Sequence, residues 1–259
     1  IIAEGGVKNV PDGFSGEVKW ESPSNIALVK YWGKTGNQIP ANPSISFTLS
    51  EAHTITAVEY IYHSTPLEDI KLDFKFEGAS KPAFAEKIEK YLQGISDVFP
   101  LVRHLELKID SKNSFPHSSG IASSASSMSA LAMCLMSIEK ELKNTAELNI
   151  EKASILSRLG SGSACRSVFE KIAIWGEVKN IENSSNEFAI PYFKDINPIF
   201  HGFHDDILIV SAEEKSVSSR AGHALMEGNA YGPARFQQAN EHMAVILEAM
   251  KTGDLDTFG

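Results

Sequence analysis

The chain has 259 residues, 42% of them hydrophobic, enough to bury one large core or two modest ones. A formal net charge of -9 and a pI near 5.4, with no basic run to offset the acidic total, exclude a general affinity for nucleic acid or an anionic membrane surface. No apolar run approaches the roughly 18 residues of a membrane span, the start lacks a signal pattern, and Cys134 and Cys165 stand too isolated for a zinc site or a disulfide framework. A soluble protein in a reducing, cytoplasmic setting is expected, with a start trimmed to Ile1.

Residues up to Gly16 show little periodicity and are expected as a surface arm, after which Val18 and Trp20 begin an alternating strand. The first dense motif follows as Ser22-Pro23-Ser24-Asn25-Ile26-Ala27-Leu28-Val29-Lys30-Tyr31-Trp32-Gly33-Lys34. Two lysines, two aromatics and a glycine close an apolar run. Read plainly this is a strand end whose lysines snorkel past an aromatic cap. Read functionally, two ammonium groups at one strand end suit a polyanionic small molecule.

Strand alternation continues at Ile45, Phe47 and Leu49, from 55 to 61, and at Leu72, Phe74 and Phe76, so the first half is β-rich. A helix is predicted between Pro82 and Gly94 with Lys87 on its polar side, and Leu105, Leu107 and Ile109 form a strand entering a hydroxyl-rich loop. That loop, 113 to 132, carries Pro116 and Gly120 and then Met128, Leu131, Leu135 and Ile138, the spacing of a helix with one apolar face. The first N–H groups of such a helix lack partners and its dipole is positive, so Ser123, Ser124, Ser126 and the backbone suit a phosphate. A plain serine cap is the alternative.

A second helix runs from 150 to 159 and ends at Gly160, before Ser161-Gly162-Ser163-Ala164-Cys165-Arg166-Ser167. Glycines and hydroxyls around one arginine describe either an anion pocket or a glycine-capped joint between helices. Arg166 is the telling residue, because a guanidinium forks onto a carboxylate or phosphate as a lysine does not. Strands are expected at 172 to 175 and 207 to 210, with a domain boundary in the polar stretch near 180 to 200. A basic, hydroxyl-rich turn at 215 to 220 and a helix from 233 to 251 complete the chain, with no internal repeat. The usual nucleotide P-loop, the dinucleotide fingerprint and the Gly-x-Ser-x-Gly hydrolase elbow are all missing.

With these motifs in order, the chain resembles the mevalonate diphosphate decarboxylases, within the superfamily of galactokinase, homoserine kinase, mevalonate kinase and phosphomevalonate kinase. The loop at 116 to 125 is shared across that superfamily. Residues 30 to 34 and 160 to 167 carry the specific likeness, which runs from about Val18 to the last residue.

The resemblance implies an α+β, two-domain small-molecule-kinase fold: an N-terminal domain over 1 to 195, like that of a ribosomal protein with a left-handed βαβ crossover, and the start of an incomplete C-terminal domain over 196 to 259. It implies ATP-dependent decarboxylation of mevalonate 5-diphosphate to isopentenyl diphosphate, with ATP and Mg2+ required, no metal bound by protein ligands alone, and a homodimer as the assembly. On the same ground Lys30 would lie near the reacting hydroxyl and Arg166 would fork onto the substrate carboxylate. Ala27, Tyr31, Trp32, Gly33, Lys34, Ser161, Gly162, Ser163, Ala164 and Cys165 would hold the substrate, with Lys87, Ser219 and Arg220 as outlying contacts. Ser111, Asn113, Pro116, Gly120, Ser123, Ser124 and Ser126 would cradle the nucleotide. His223 stands where the family often has methionine. The family's Asp-Ala-Gly-x-Asn segment, with its essential aspartate, does not occur in these residues, and a truncated chain is expected; Asp205-Asp206 reads as a turn.

Overall fold

The computed structural model describes residues 7, 9–116, 121–208, 222 and 225–259. Its frame is set by two long alternating strands, β1 (Ser15–Val29) and β4 (Ser44–Tyr62), joined through a small antiparallel hairpin of β2 (Lys34–Thr35) and β3 (Ile39–Pro40). The runs predicted separately at 45 to 49 and 55 to 61 are one strand. Pairing continues across the polar middle because β1 lies antiparallel to β4 at both ends, with Ile55 opposite Glu21 and Phe47 opposite Ile26. A register shift between Pro23 and Asn25 takes up the extra β4 residues as a bulge.

Strands β5 (Lys71–Phe76), β6 (Ala79–Ser80), β7 (Leu105–Asn113), β8 (Ile172–Trp175) and β9 (Ala189–Pro191) complete the sheet in the order β6-β5-β7-β4-β8-β9, with β1 also on β4. β7 pairs with residues 54–62 of β4 and β8 with residues 44–47. β5 and β7 run parallel, so the chain between them must cross over, and it does so through helix α1 (Pro82–Gly94).

Helix α2 (Ser123–Lys143) follows β7 as the periodicity predicts, but it has no solvent face in its middle: every residue from 128 to 136 is buried. The second face consists of small residues such as Ser129, Ala130, Ala132 and Cys134, which let the sheet approach closely; the Cys134 thiol lies 3.4 Å from the Thr56 carbonyl oxygen. α3 (Ile150–Gly160) is capped by Asn149, whose side chain accepts from the Lys152 N–H. Leu92, Leu107, Leu135, Ile138 and Leu156 form the first core.

The end of the expected arm is pinned at Gly13 and Phe14: the Gly13 N–H donates to Tyr62 O and the Tyr62 N–H to Phe14 O. The polar stretch near 180 to 200 is likewise tied down. β9 pairs with β8, and Ile196 and Phe200 join a second core with Val29, Ile45, Ile174, Ala239, Met243 and Met250. The last three come from α4 (Gly232–Thr252), which is followed by the short α5 (Leu255–Phe258). Of the strand expected at 207 to 210, residues 207 and 208 are not in a strand and the others lie outside the described residues.

Candidate active site

Arg166 is the most deeply buried charge of the cluster, 1% exposed, in a 3-10 turn (Gly162–Val168) beneath the sheet. Its Nε donates to Ser46 Oγ at 2.8 Å, Nη1 to Ser44 Oγ at 2.5 Å and Nη2 to Asn25 Oδ1 at 3.2 Å. Two of these acceptors are fixed from behind. Ser44 passes its own hydroxyl proton to Trp175 O at 3.3 Å, while the Asn25 amide nitrogen donates to Ser167 Oγ at 2.7 Å and Ser163 O at 3.1 Å. Strand alternation puts Ser44 and Ser46 on one face of β4, and β1 brings Asn25 beside them. Burial holds the guanidinium below the usual arginine range. Among the described residues no carboxylate pairs with it.

The aromatic turn after β1 closes over the same place. Tyr31 is buried with its ring edge-on to Trp175, centroids 4.9 Å apart, and burial raises its phenol above the ordinary range. Gly162 fits against both rings: a Cβ there would lie 3.0 Å from Trp175 and 3.1 Å from the Tyr31 hydroxyl. Ala27 is half-buried and opposite Ser46 in the ladder. Trp32 is shared by two cations, the Lys30 ammonium at 5.5 Å and the Arg235 guanidinium at 4.6 Å from the ring centre. Gly33 lies under Phe236 of α4, where a Cβ would come within 2.9 Å of that ring. Lys34 begins the hairpin and donates to Gln38 Oε1 at 2.7 Å.

At the start of α2 the described serines do not cap the helix. The residue before it, Ala122, is left-handed (φ 51°, ψ 43°), and among the described residues no side chain caps the first turn. Ser126 instead bonds Thr54 at 2.6 Å, and Thr54 donates to Asn113 Oδ1 at 2.8 Å. The Asn113 amide nitrogen is thereby left buried without a partner among the described residues, and a donor so placed is costly unless something arrives to accept from it. The Ser24 hydroxyl donates to Ile121 O, binding this turn to β1. Ser124 reaches Ser161 at 3.2 Å, and Ser123 offers its carbonyl to Ser127 at 2.7 Å.

The structure thus brings together the segments around Lys30, Ser124 and Arg166. Ala164 and Cys165 are fully buried behind the others, with the Cys165 thiol on Gly162 O at 3.0 Å and pushed up to about 12 by burial. Ser111 stands further along β7, bonded to Thr56 at 2.9 Å within the sheet, and Pro116 is exposed at the edge of the described loop. Lys87 lies exposed on α1, 5.6 Å from the Phe84 ring, and none of the described hydrogen bonds ties it to the cluster. Gly120, Ser219, Arg220 and His223 lie outside the described residues.

Several participants carry no signal a single sequence shows. Ser44 and Ser46 read as the polar side of a strand, Thr54 likewise, and Arg235 as a solvated helix charge. A cavity of about 500 Å³ lined by Phe47, Phe169, Phe200, Phe203 and Phe258 takes in Ser167 but not Lys30, Lys34 or Arg166. Among the described residues, no helix is long and apolar enough to cross a membrane.

Residues 22–187, which contain the Lys30, Ser124 and Arg166 segments, match the family model of the diphosphomevalonate decarboxylase-like N-terminal domain. The chain is 31% identical to the diphosphomevalonate decarboxylase of Ganoderma lucidum over 92% of this chain and 60% of that protein. It therefore spans about 60% of the length of such relatives. Among solved structures it is similar to the mevalonate diphosphate decarboxylase from Staphylococcus aureus (TM-score 0.73, 28% identity, 95% of this chain and 70% of that one). It is also similar to MDDEF solved in complex with MVAPP, AMPPCP and magnesium (TM-score 0.72, 27% identity, 95% of this chain and 71% of that one). The α+β fold that the resemblance implied is the fold of these structures. A match over residues 22–187, which hold Asn25, Ser44, Ser46, Asn113, Ser124 and Arg166, leads to one conclusion: the chain belongs to the diphosphomevalonate decarboxylase family.

Proposed function

We propose that the protein uses MgATP to convert mevalonate 5-diphosphate into isopentenyl diphosphate, ADP, phosphate and CO2. The observation that carries this reading is Arg166, a buried cation bonded to hydroxyls and an amide and left without a carboxylate among the described residues. A charge taken out of water costs several kcal/mol unless an anion meets it. A guanidinium has five N–H donors, and these bonds use three of them, so a substrate carboxylate can take the remainder.

In this reading the tertiary 3-hydroxyl oxygen takes the γ-phosphoryl group of ATP as ADP leaves and gives up its proton to solvent, which makes a poor leaving group into a good one. The C–O bond then breaks with loss of phosphate, and the C1–C2 electron pair moves in to form the alkene as CO2 departs. Arg166 holds the carboxylate in line with the breaking bond, and Lys30 stabilises negative charge on the oxygen being phosphorylated. Tyr31, Trp32, Lys34, Ser161, Gly162 and Ser163 hold the diphosphate end. The nucleotide phosphates suit the first turn of α2, which among the described residues has no side-chain cap and lies near the Asn113 amide that has no partner there, with Ser123, Ser124 and Ser126. Among the described residues no group of His, Cys, Asp and Glu would hold a metal, so magnesium is taken to enter with the nucleotide as part of the substrate. Catalysis is then positioning and electrostatics.

We further propose a division into 1–195 and 196–259, with the site walled by both through the contacts of Arg235 and Phe236 on the aromatic turn. On the family likeness we also propose a cytoplasmic homodimer, and the acidic net charge of -9 fits a protein without nucleic-acid or anionic-membrane partners. The test is incubation with MgATP and mevalonate 5-diphosphate, following CO2 and isopentenyl diphosphate together. A stable 3-phosphorylated product without CO2 assigns a 3-kinase instead, turnover of the monophosphate alone assigns a monophosphate decarboxylase, and binding without turnover assigns a non-catalytic relative.

A further inference from the structure

Arg158, near the end of α3, is a second buried guanidinium, 4% exposed, for which the reaction above has no task. Its Nε donates to Glu187 O at 2.6 Å and its Nη1 donates to Asn37 O. Among the described residues it has no ion-paired carboxylate. The two carbonyls belong to different loops. Asn37 is in the turn of the β2–β3 hairpin, which Lys34 opens. Glu187 follows Asn186, whose carbonyl accepts from the Trp175 indole N–H at 2.9 Å, so it backs the wall formed by Trp175 against Tyr31 and Gly162.

Burying a charge on backbone carbonyls alone gives little stability, since an apolar side chain of similar volume often does as well. What an apolar side chain lacks is a fork that reaches two loops at once. Arg158 sits directly before the chain leaves α3 into residues 160–163, so its guanidinium spans from that exit to the hairpin of Lys34.

We infer that Arg158 is a positioning residue for the diphosphate end of the site: by gripping the Asn37 carbonyl it holds the Lys34 hairpin against residues 161–163, so that both grip the same phosphates. This rests on the reading of Lys34 and residues 161–163 as diphosphate contacts.

The test is equilibrium binding of mevalonate 5-diphosphate and, separately, of ATP to the purified chain and its variants. Arg158→Met is expected to weaken the diphosphate about tenfold and leave ATP within about twofold, with Arg158→Lys recovering part of the loss because its ammonium still reaches one carbonyl. Lys34→Ala alone should weaken the diphosphate by about 10- to 100-fold. If Arg158 acts through Lys34, the double variant binds about as well as Lys34→Ala. Losses that multiply, an equal loss for ATP, or unaltered diphosphate binding in Arg158→Met beside a weakened Lys34→Ala overturn the inference alone. Unaltered binding in Lys34→Ala overturns the reading of the site and the inference with it. Should Arg158→Met not fold, Arg158→Lys carries the same comparison.

Discussion

The hydroxyls of Ser124 and Ser161 lie 3.2 Å apart, although one opens helix α2 and the other follows helix α3. That contact joins the segment proposed for the nucleotide to the segment proposed for the substrate. A phosphoryl group passing from one ligand to the other needs them within bonding reach.

Arg166→Lys tests the carboxylate role. An ammonium cannot reach Ser44, Ser46 and Asn25 together, so the acceptors that now fix the guanidinium lose their donor. Turnover is expected to fall by at least about 100-fold, while the ATP dissociation constant stays within about twofold, a split read from steady-state kinetics and nucleotide titration. An unchanged rate removes the role.

Asn113→Ala separates binding from folding. Its amide nitrogen has no partner among the described residues, and the bond lost there in the unliganded protein is that of Thr54 to Oδ1, about 1 kcal/mol in a denaturant titration. ATP should bind about tenfold more weakly, with the diphosphate substrate little affected. Equal weakening of both ligands would contradict the assignment of Asn113 to the nucleotide.

Gly162→Ala places a methyl 3.0 Å from Trp175 and 3.1 Å from the Tyr31 hydroxyl. Neither ring is the end of a flexible chain, so accommodation means shifting the aromatic wall, at about 1–3 kcal/mol of stability. The mevalonate 5-diphosphate KM should rise more than that of ATP, and a structure of the variant should show Tyr31 displaced.

Cys134 and Cys165 are both pushed up to about 12 by burial, from an ordinary 9.0. In the folded protein they stay neutral where an unfolded thiol ionises, so their contribution is fully present below about pH 9. It falls as pH rises from about 9 towards 12, at about 1.4 kcal/mol per pH unit for each thiol. Thermal melts from pH 8 to 10.5 should therefore slope less steeply in Cys134→Ala, and the native protein should resist thiol alkylation at pH 8. Rapid native alkylation of both cysteines would show that the burial is wrong.

The strand carrying Leu105, Leu107 and Ile109 and the helix carrying Met128, Leu131, Leu135 and Ile138 were legible because local periodicity marks them, and the Lys30 and Arg166 segments because cations in company with glycine and hydroxyls are unusual. Their convergence was expected only through the likeness to a family. The partners of Arg166 were not legible: Ser44 and Ser46 acquire meaning from the pairing of β4 with β8, and Asn25 from the register of β1, which depends on residues far along the chain. Arg158 was hidden for the same reason, since on a helix it reads as an ordinary exposed charge until the Asn37 and Glu187 carbonyls fold onto it. The all-round burial of α2 was missed because alanine, serine and cysteine are neutral in a hydrophobic pattern yet decide how closely a sheet can approach.

One strand, β4, carries Ser44 and Ser46 at one end and Thr54 further along, so it acts as a ruler between the guanidinium and the pair Asn113 and Ser126. A covalent ruler does not drift. The separation of the two grips is graduated in peptide units, and a single inserted residue between the marks would rotate one grip to the opposite side of the sheet. Divergence in this lineage should therefore respect the length of that interval far more strictly than the identity of the side chains within it.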